Sequence, residues 1–168
     1  MIRAGYDLPP LMFSAEVVKA IIVGLSLIGR TGDQGLVIAA GGVLQKVDAV
    51  LPARAIKEQE PPLLVSHWNA VPASEVDYQR IRRAIRDEQK LDLTYVDAQG
   101  ARTDRTVRPI ALIYYVDSAV LVACCELRVD FRHFRIDRIA GCAVSQARFI
   151  GEGHQLREAW RSENAPFS

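Results

Sequence analysis

The chain has 168 residues, 49% hydrophobic and 24% charged, the balance of a globular protein with enough length for one medium domain or two small ones. Its formal net charge of +1 excludes a global electrostatic attraction to nucleic acid, so any such case rests on local clustering. The three cysteines, Cys124, Cys125 and Cys142, form neither a disulfide framework nor a metal-binding spacing and read as small buried hydrophobes in a reducing cytoplasm.

Residues 1–13 read as extended, because Pro9 and Pro10 disfavour helix just before them. Ser14 is a good N-cap, with Glu16 in the first turn, for a helix running to about Gly29. Val17, Ile21, Leu25 and Ile28 make a stripe that Val18 and Ile22 widen, and so broad an apolar face needs a partner. The run is broken by Lys19 and too short to cross a bilayer. After a break at Arg30-Thr31-Gly32, a second helical pattern spans about Asp33 to Val50, weakened by Gly35, Gly41 and Gly42. Together the two predict an αα-hairpin.

Residues 51–73 hold four prolines and read as a connector with one short strand at 63–67. Ser74 and Asp77 resemble a capping box opening a third helix, whose apolar face is Tyr78, Ile81, Ala84 and Ile85. Arg80, Arg82, Arg83 and Arg86 lie mostly on the other side; with Asp77, Asp87 and Glu88 interleaved, they read as a solvated face. From Lys90 the period becomes two. Leu91, Leu93 and Tyr95 alternate with Asp92 and Thr94, and Asp97-Ala98-Gln99-Gly100 makes a turn in which Gly100 takes positive φ. Strands follow over about 102–115, 118–126, 131–137 and 140–149, and the tail carries a short helix around Gln155–Arg161. The fold class is therefore α+β, with a helix leading into a small, strongly bent antiparallel sheet or partly open barrel.

The chemistry gathers in the last strands. Phe134 and Ile136 fit the core face of their strand, which puts His133 and Arg135 on the opposite face. With Arg128 and Arg132 from the neighbouring turn they can surround an anion, since guanidinium forks match phosphate oxygens. The competing reading is an edge on which these arginines pair with Glu126, Asp130 and Asp137 in solvent. No P-loop, nucleophile elbow or zinc-protease motif occurs, and Gly151-Glu152-Gly153 lacks the third glycine of a dinucleotide loop. The sequence predicts no enzyme, no catalytic residues, no metal and no cofactor.

Ile81…Ala84-Ile85, Leu93-Thr94-Tyr95…Gly100, Arg108-Pro109, Leu121 to Arg128, and Arg132-His133-Phe134-Arg135-Ile136-Asp137-Arg138-Ile139 together resemble the WYL domain over about residues 75–148. The final block is the most specific part. Gly5 to Met12, followed by a helix, is similar to the connector between the winged helix-turn-helix and the WYL domain of bacterial DeoR-like regulators. The resemblance implies an Sm- or SH3-like five-strand barrel and a cytoplasmic ligand-sensing role in transcriptional control. It also implies an anionic effector such as single-stranded nucleic acid or a nucleotide. One departure stands out: the naming Trp-Tyr-Leu triplet is here Ala119-Val120-Leu121, leaving Tyr114 or Tyr115, one strand earlier, to supply a ring.

These readings divide the chain into a helical connector and dimerisation segment (1–73), a sensor domain (74–150) and a tail (151–168). The ligand-binding residues expected are Arg128, Arg132, His133, Arg135 and Tyr115. The partners expected are an anionic effector and a second copy of the chain, with promoter DNA reached only through a DNA-reading head that this chain lacks, and no membrane. The alternative is a stand-alone accessory domain whose barrel edge binds another protein.

Overall fold

The computed structural model describes residues 13–50, 76–115 and 118–164. The connector, its short strand and the Ser74 cap lie outside the described residues. Helix α1 (Ala15–Ile28) starts where Ser14 accepts a hydrogen bond from the Val17 amide. Helix α2 (Gln34–Val50) follows after a short break and packs against α1, and Asp33 caps it by accepting from the Leu36 amide. Helix α3 (Tyr78–Arg86) is capped by Asp77, which accepts from both Gln79 and Arg80. Thus Asp77 is itself the cap, one position before the helix, and not the third residue of a box.

Five strands follow: β1 (Gln89–Val96), β2 (Arg102–Tyr114), β3 (Ala119–Cys125), β4 (Asp130–Arg135) and β5 (Ile139–Arg148), with helix α4 (Gly153–Glu163) closing the chain. All ladders are antiparallel, in the order β4-β3-β2-β1-β5, so the sheet is open with β4 and β5 at its edges. Gly100 sits in the β1–β2 turn at φ +84°, a conformation that favours glycine. The fourth strand ends at Arg135, two residues earlier than its alternation suggests, and Ile136–Arg138 form a 3-10 turn that carries the chain to β5.

The sheet is strongly bent. Tyr95 on β1 and Phe134 on β4 lie three strand spacings apart, about 14 Å on a flat sheet. Their rings meet edge-on with centroids 5.2 Å apart. The inside of this curve holds the main core: Ile81 and Ala84 from α3, Leu91 and Leu93 from β1, Val107, Leu121, Phe134 and Ile136. A second, smaller cluster lies on the outer face, where Leu156 and Trp160 of α4, one helical turn apart, cover Ile110, Val122 and Phe131.

A bulge in β2 determines which side chains reach which face. Pro109 lacks an amide proton, and the β2–β3 register shifts between Pro109 and Ala111. Before the shift the inward residues are odd-numbered (Val107); after it they are even-numbered (Leu112, Tyr114). Ile110 and Ala111 both go to the outer cluster. The strand therefore delivers Tyr114 inward, while Tyr115 follows it into the open, 43% exposed.

Candidate ligand site and the buried joint behind it

Three of the expected site residues, Arg132, His133 and Arg135, sit on β4, an edge strand of the sheet among the described residues. Alternation splits them between the two faces. Arg132 faces the same side as Phe134 and stands opposite Ala123, whereas His133 and Arg135 stand opposite Val122 and Val120 on the other side. Arg132 pairs with Asp130 at 3.2 Å, both half-exposed. Arg135 engages Asp137 through two parallel hydrogen bonds, Nε to Oδ1 at 3.0 Å and an Nη to Oδ2 at 2.9 Å. That geometry arises because the chain turns into the 3-10 segment immediately after Arg135. The Arg135 hydrogen bonds and charge hold the Asp137 carboxyl below its usual range, aided by Arg138 and opposed by partial burial. His133 accepts at Nε2 from the indole N–H of Trp160 at 3.3 Å. Arg128 is exposed in the β3–β4 turn.

Tyr115 is not on this strand. It lies at the far end of β2, against α1 and the turn that follows it. The structure thus brings Arg132, His133 and Arg135 onto one strand, with Arg128 in the adjoining turn and Tyr115 just past the end of β2.

A second arginine–aspartate pair, absent from the sequence reading, lies at the junction of the helical hairpin with the sheet. Asp33 is fully buried in the α1–α2 turn, and Arg82 of α3 is ion-paired to it. The Tyr114 hydroxyl donates to Asp33 at 2.6 Å and accepts from Arg82 at 3.0 Å. Tyr78 stacks on Tyr114 with centroids 6.2 Å apart and donates its hydroxyl to the Thr31 carbonyl. Arg82 is therefore no member of a solvated helix face. Burial alone would raise the Asp33 carboxyl, but hydrogen bonds from Arg82, Tyr114 and the Leu36 amide outweigh it and hold the group below its usual range. Burial, with the Asp33 charge second, pushes the Tyr78 phenol up to about 12.

The tail is tied down in a similar way. Glu88, at φ +50°, turns its carboxylate to accept from the amides of Gly151 and Gly153 at the start of α4. Arg108 bonds Glu152 at 2.5 Å, and Lys90 bonds Glu126 at 2.5 Å. Among the described residues no helix is long and apolar enough to cross a membrane.

Known proteins share parts of this chain. An uncharacterized HTH-type transcriptional regulator, YobV of Bacillus subtilis (strain 168), is 26% identical over 117 residues, covering 67% of this chain and 37% of the relative. The chain therefore spans little more than a third of that protein's length. A solved structure, proteasome accessory factor B/C (PafBC) of Arthrobacter aurescens, aligns over 87% of this chain and 23% of its own, at 24% identity and a TM-score of 0.43. The family match begins at the α3 cap, Asp77, and ends in β5 at Val144, so it takes in α3 and nearly the whole sheet. Residues 77–144 of this chain match the WYL domain family.

Proposed function

We propose that this chain is the effector-sensing and dimerisation part of a bacterial transcriptional regulator, acting in the cytoplasm and taking an anionic ligand, nucleic acid or nucleotide, along β4. The observation that carries the reading is the charge of that edge. Between Arg128 and Arg138 four arginines and two aspartates gather on and beside β4, an edge strand among the described residues. An edge of this kind offers guanidinium forks and main-chain amides together. The Asp130 and Asp137 partners hold Arg132 and Arg135 extended, and a phosphate can replace them, because exposed pairs contribute only about 0–1 kcal/mol. The WYL domain and the regulator named among its relatives support the same role. The 74–150 segment is then the sensor. The α1–α2 hairpin, whose Val17, Leu27, Ile38 and Val43 are exposed, is the surface on which a second copy packs.

A salt titration of single-stranded oligothymidylate binding tests the site. Removing Arg132 and Arg135 together (Arg132→Ala with Arg135→Ala) lowers the slope of log affinity against log salt by about 0.7 for each phosphate that is no longer neutralised. An unchanged affinity and slope would reject nucleic acid at this edge. One observation favours a second reading: β4, at the edge of the sheet among the described residues, can also accept an extended peptide strand from a protein partner. In that case a proline at Arg132 abolishes partner capture, while the alanine pair leaves it intact.

A further inference from the structure

The β3–β4 turn is built against its own stability. Its residues, Glu126 to Val129, join Cys125 to Asp130, the pair that closes the ladder. The amides of Arg128 and Val129 both donate to the Cys125 carbonyl, at 3.3 and 2.8 Å, and Val129 completes the reversal at φ +50°. That left-handed conformation suits glycine or asparagine, and a β-branched side chain suits it least. The strain secures no burial. Val129 is 84% exposed, and Leu127, on the other side of Arg128, is 66% exposed. We infer that this tip is an apolar wedge that enters between adjacent bases of a single-stranded nucleic acid. The inference rests on the reading of β4 as an anion-binding edge, and it narrows the ligand there from a nucleotide to a strand.

The charges around the tip point to the class of partner. Glu126 is engaged by Lys90 at 2.5 Å and by Arg108 at 3.5 Å, and Asp130 is engaged by Arg132. Both neighbouring acids are therefore occupied, while Arg128 is exposed between the two aliphatic side chains. The tip thus presents apolar, cationic and apolar groups in succession. A single strand presents the complement, phosphates alternating with flat apolar base faces that are already unpaired. Arg128 can meet a phosphate while Leu127 and Val129 meet bases. Branched aliphatics have no ring to stack, so they part neighbouring bases as a wedge does. A mononucleotide has no second base to part. The strained turn has a use in this role: it holds both side chains clear of the sheet before the strand arrives, so little ordering remains for binding.

Fluorescence titration of the full chain against an oligothymidylate carrying two adjacent 2-aminopurines tests the tip, because those bases brighten when they part. Saturation by the wild type is expected to raise the emission about twofold. Leu127→Ser weakens the strand by about tenfold at every salt concentration and leaves the slope of log affinity against log salt unchanged, because the lost contact is apolar. Val129→Asn relieves the left-handed strain, so it raises the melting temperature while weakening the strand by about fivefold. A gain of stability with a loss of binding from one substitution separates strain kept for recognition from a turn that is merely imperfect. The inference is overturned if both variants bind as the wild type does, which is the result expected of a tip that docks a protein. It is equally overturned if the bound 2-aminopurines stay dark. The edge is judged apart from the tip: Arg132→Ala with Arg135→Ala changes the salt slope and the tip variants do not, so the tip can fail while the edge stands. A wild type that binds no oligonucleotide overturns both.

Discussion

Two arginine–aspartate pairs in this molecule share their chemistry and differ in every other respect. Asp33–Arg82 joins residues from α3 and the α1–α2 turn, with the carboxylate fully buried and a tyrosine hydroxyl completing the set. Arg135–Asp137 joins residues two apart, with both side chains more than a third exposed. The first pair cannot be broken without leaving a charge in a dry place, so it behaves as a joint. The second can exchange its partner for any other anion that reaches the edge, so it suits recognition. Environment, more than the identity of the groups, separates a structural pair from an exchangeable one here.

Breaking the joint is the severest test of that contrast. Asp33→Ala removes the partner of Arg82 and the cap of α2 together. Loss of a fully buried partner costs about 3–5 kcal/mol, and Arg82, a third exposed, recovers part of this through water. A loss of about 3 kcal/mol in urea unfolding is expected, with amide exchange fastest in α2. Asp33→Ala combined with Arg82→Met recovers part of that loss, since the stranded guanidinium is then gone. A cost below about 0.5 kcal/mol for Asp33→Ala would place the pair in the same class as the exposed one.

Acid sharpens the same distinction. Asp33 is held below its usual range in the folded chain, so its contribution is complete above the unfolded value of about 3.9 and is lost as the pH falls through the lower folded value. Thermal melts of the wild type should therefore fall steeply below about pH 4. The Asp33→Ala protein, already lacking the contribution, should show a flatter profile. Asp137 is shifted in the same direction, but its pair is solvated, so Asp137→Ala should leave the steep acid limb in place.

The same contrast explains what can be read from the chain. The strands are legible because Leu91, Leu93 and Tyr95 alternate, and the turn at Gly100 because glycine tolerates its φ of +84°. The first helix is legible from its Ser14 cap. The β4 edge is legible because its charges are close in sequence and the block from Arg132 to Ile139 carries the family resemblance. The joint is not: 49 residues separate Asp33 from Arg82 and 81 separate Asp33 from Tyr114, and local periodicity carries no information at that range. Acidic residues flank the helix of Arg82 and give it a solvated look, whereas its partner comes from the hairpin. The inward turn of Tyr114 and the exposure of Tyr115 are not legible either, because the bulge after Pro109 shifts the parity of β2, and a proline in a strand signals an irregularity without giving its phase.

The smallest expected effect is the most discriminating. Arg135→Ala, or Asp137→Ala, removes one side of the exposed pair and should change the free energy of unfolding by less than about 1 kcal/mol. If the edge recognises anions, the two substitutions part company in binding. Arg135→Ala loses a donor and weakens oligothymidylate, whereas Asp137→Ala releases the guanidinium from its internal acceptor and strengthens it, most visibly at low salt. A pair that serves only the fold predicts equal small losses of stability and no divergence in binding. Opposite signs from the two halves of a single ion pair can arise only when a third, negatively charged group competes for the arginine.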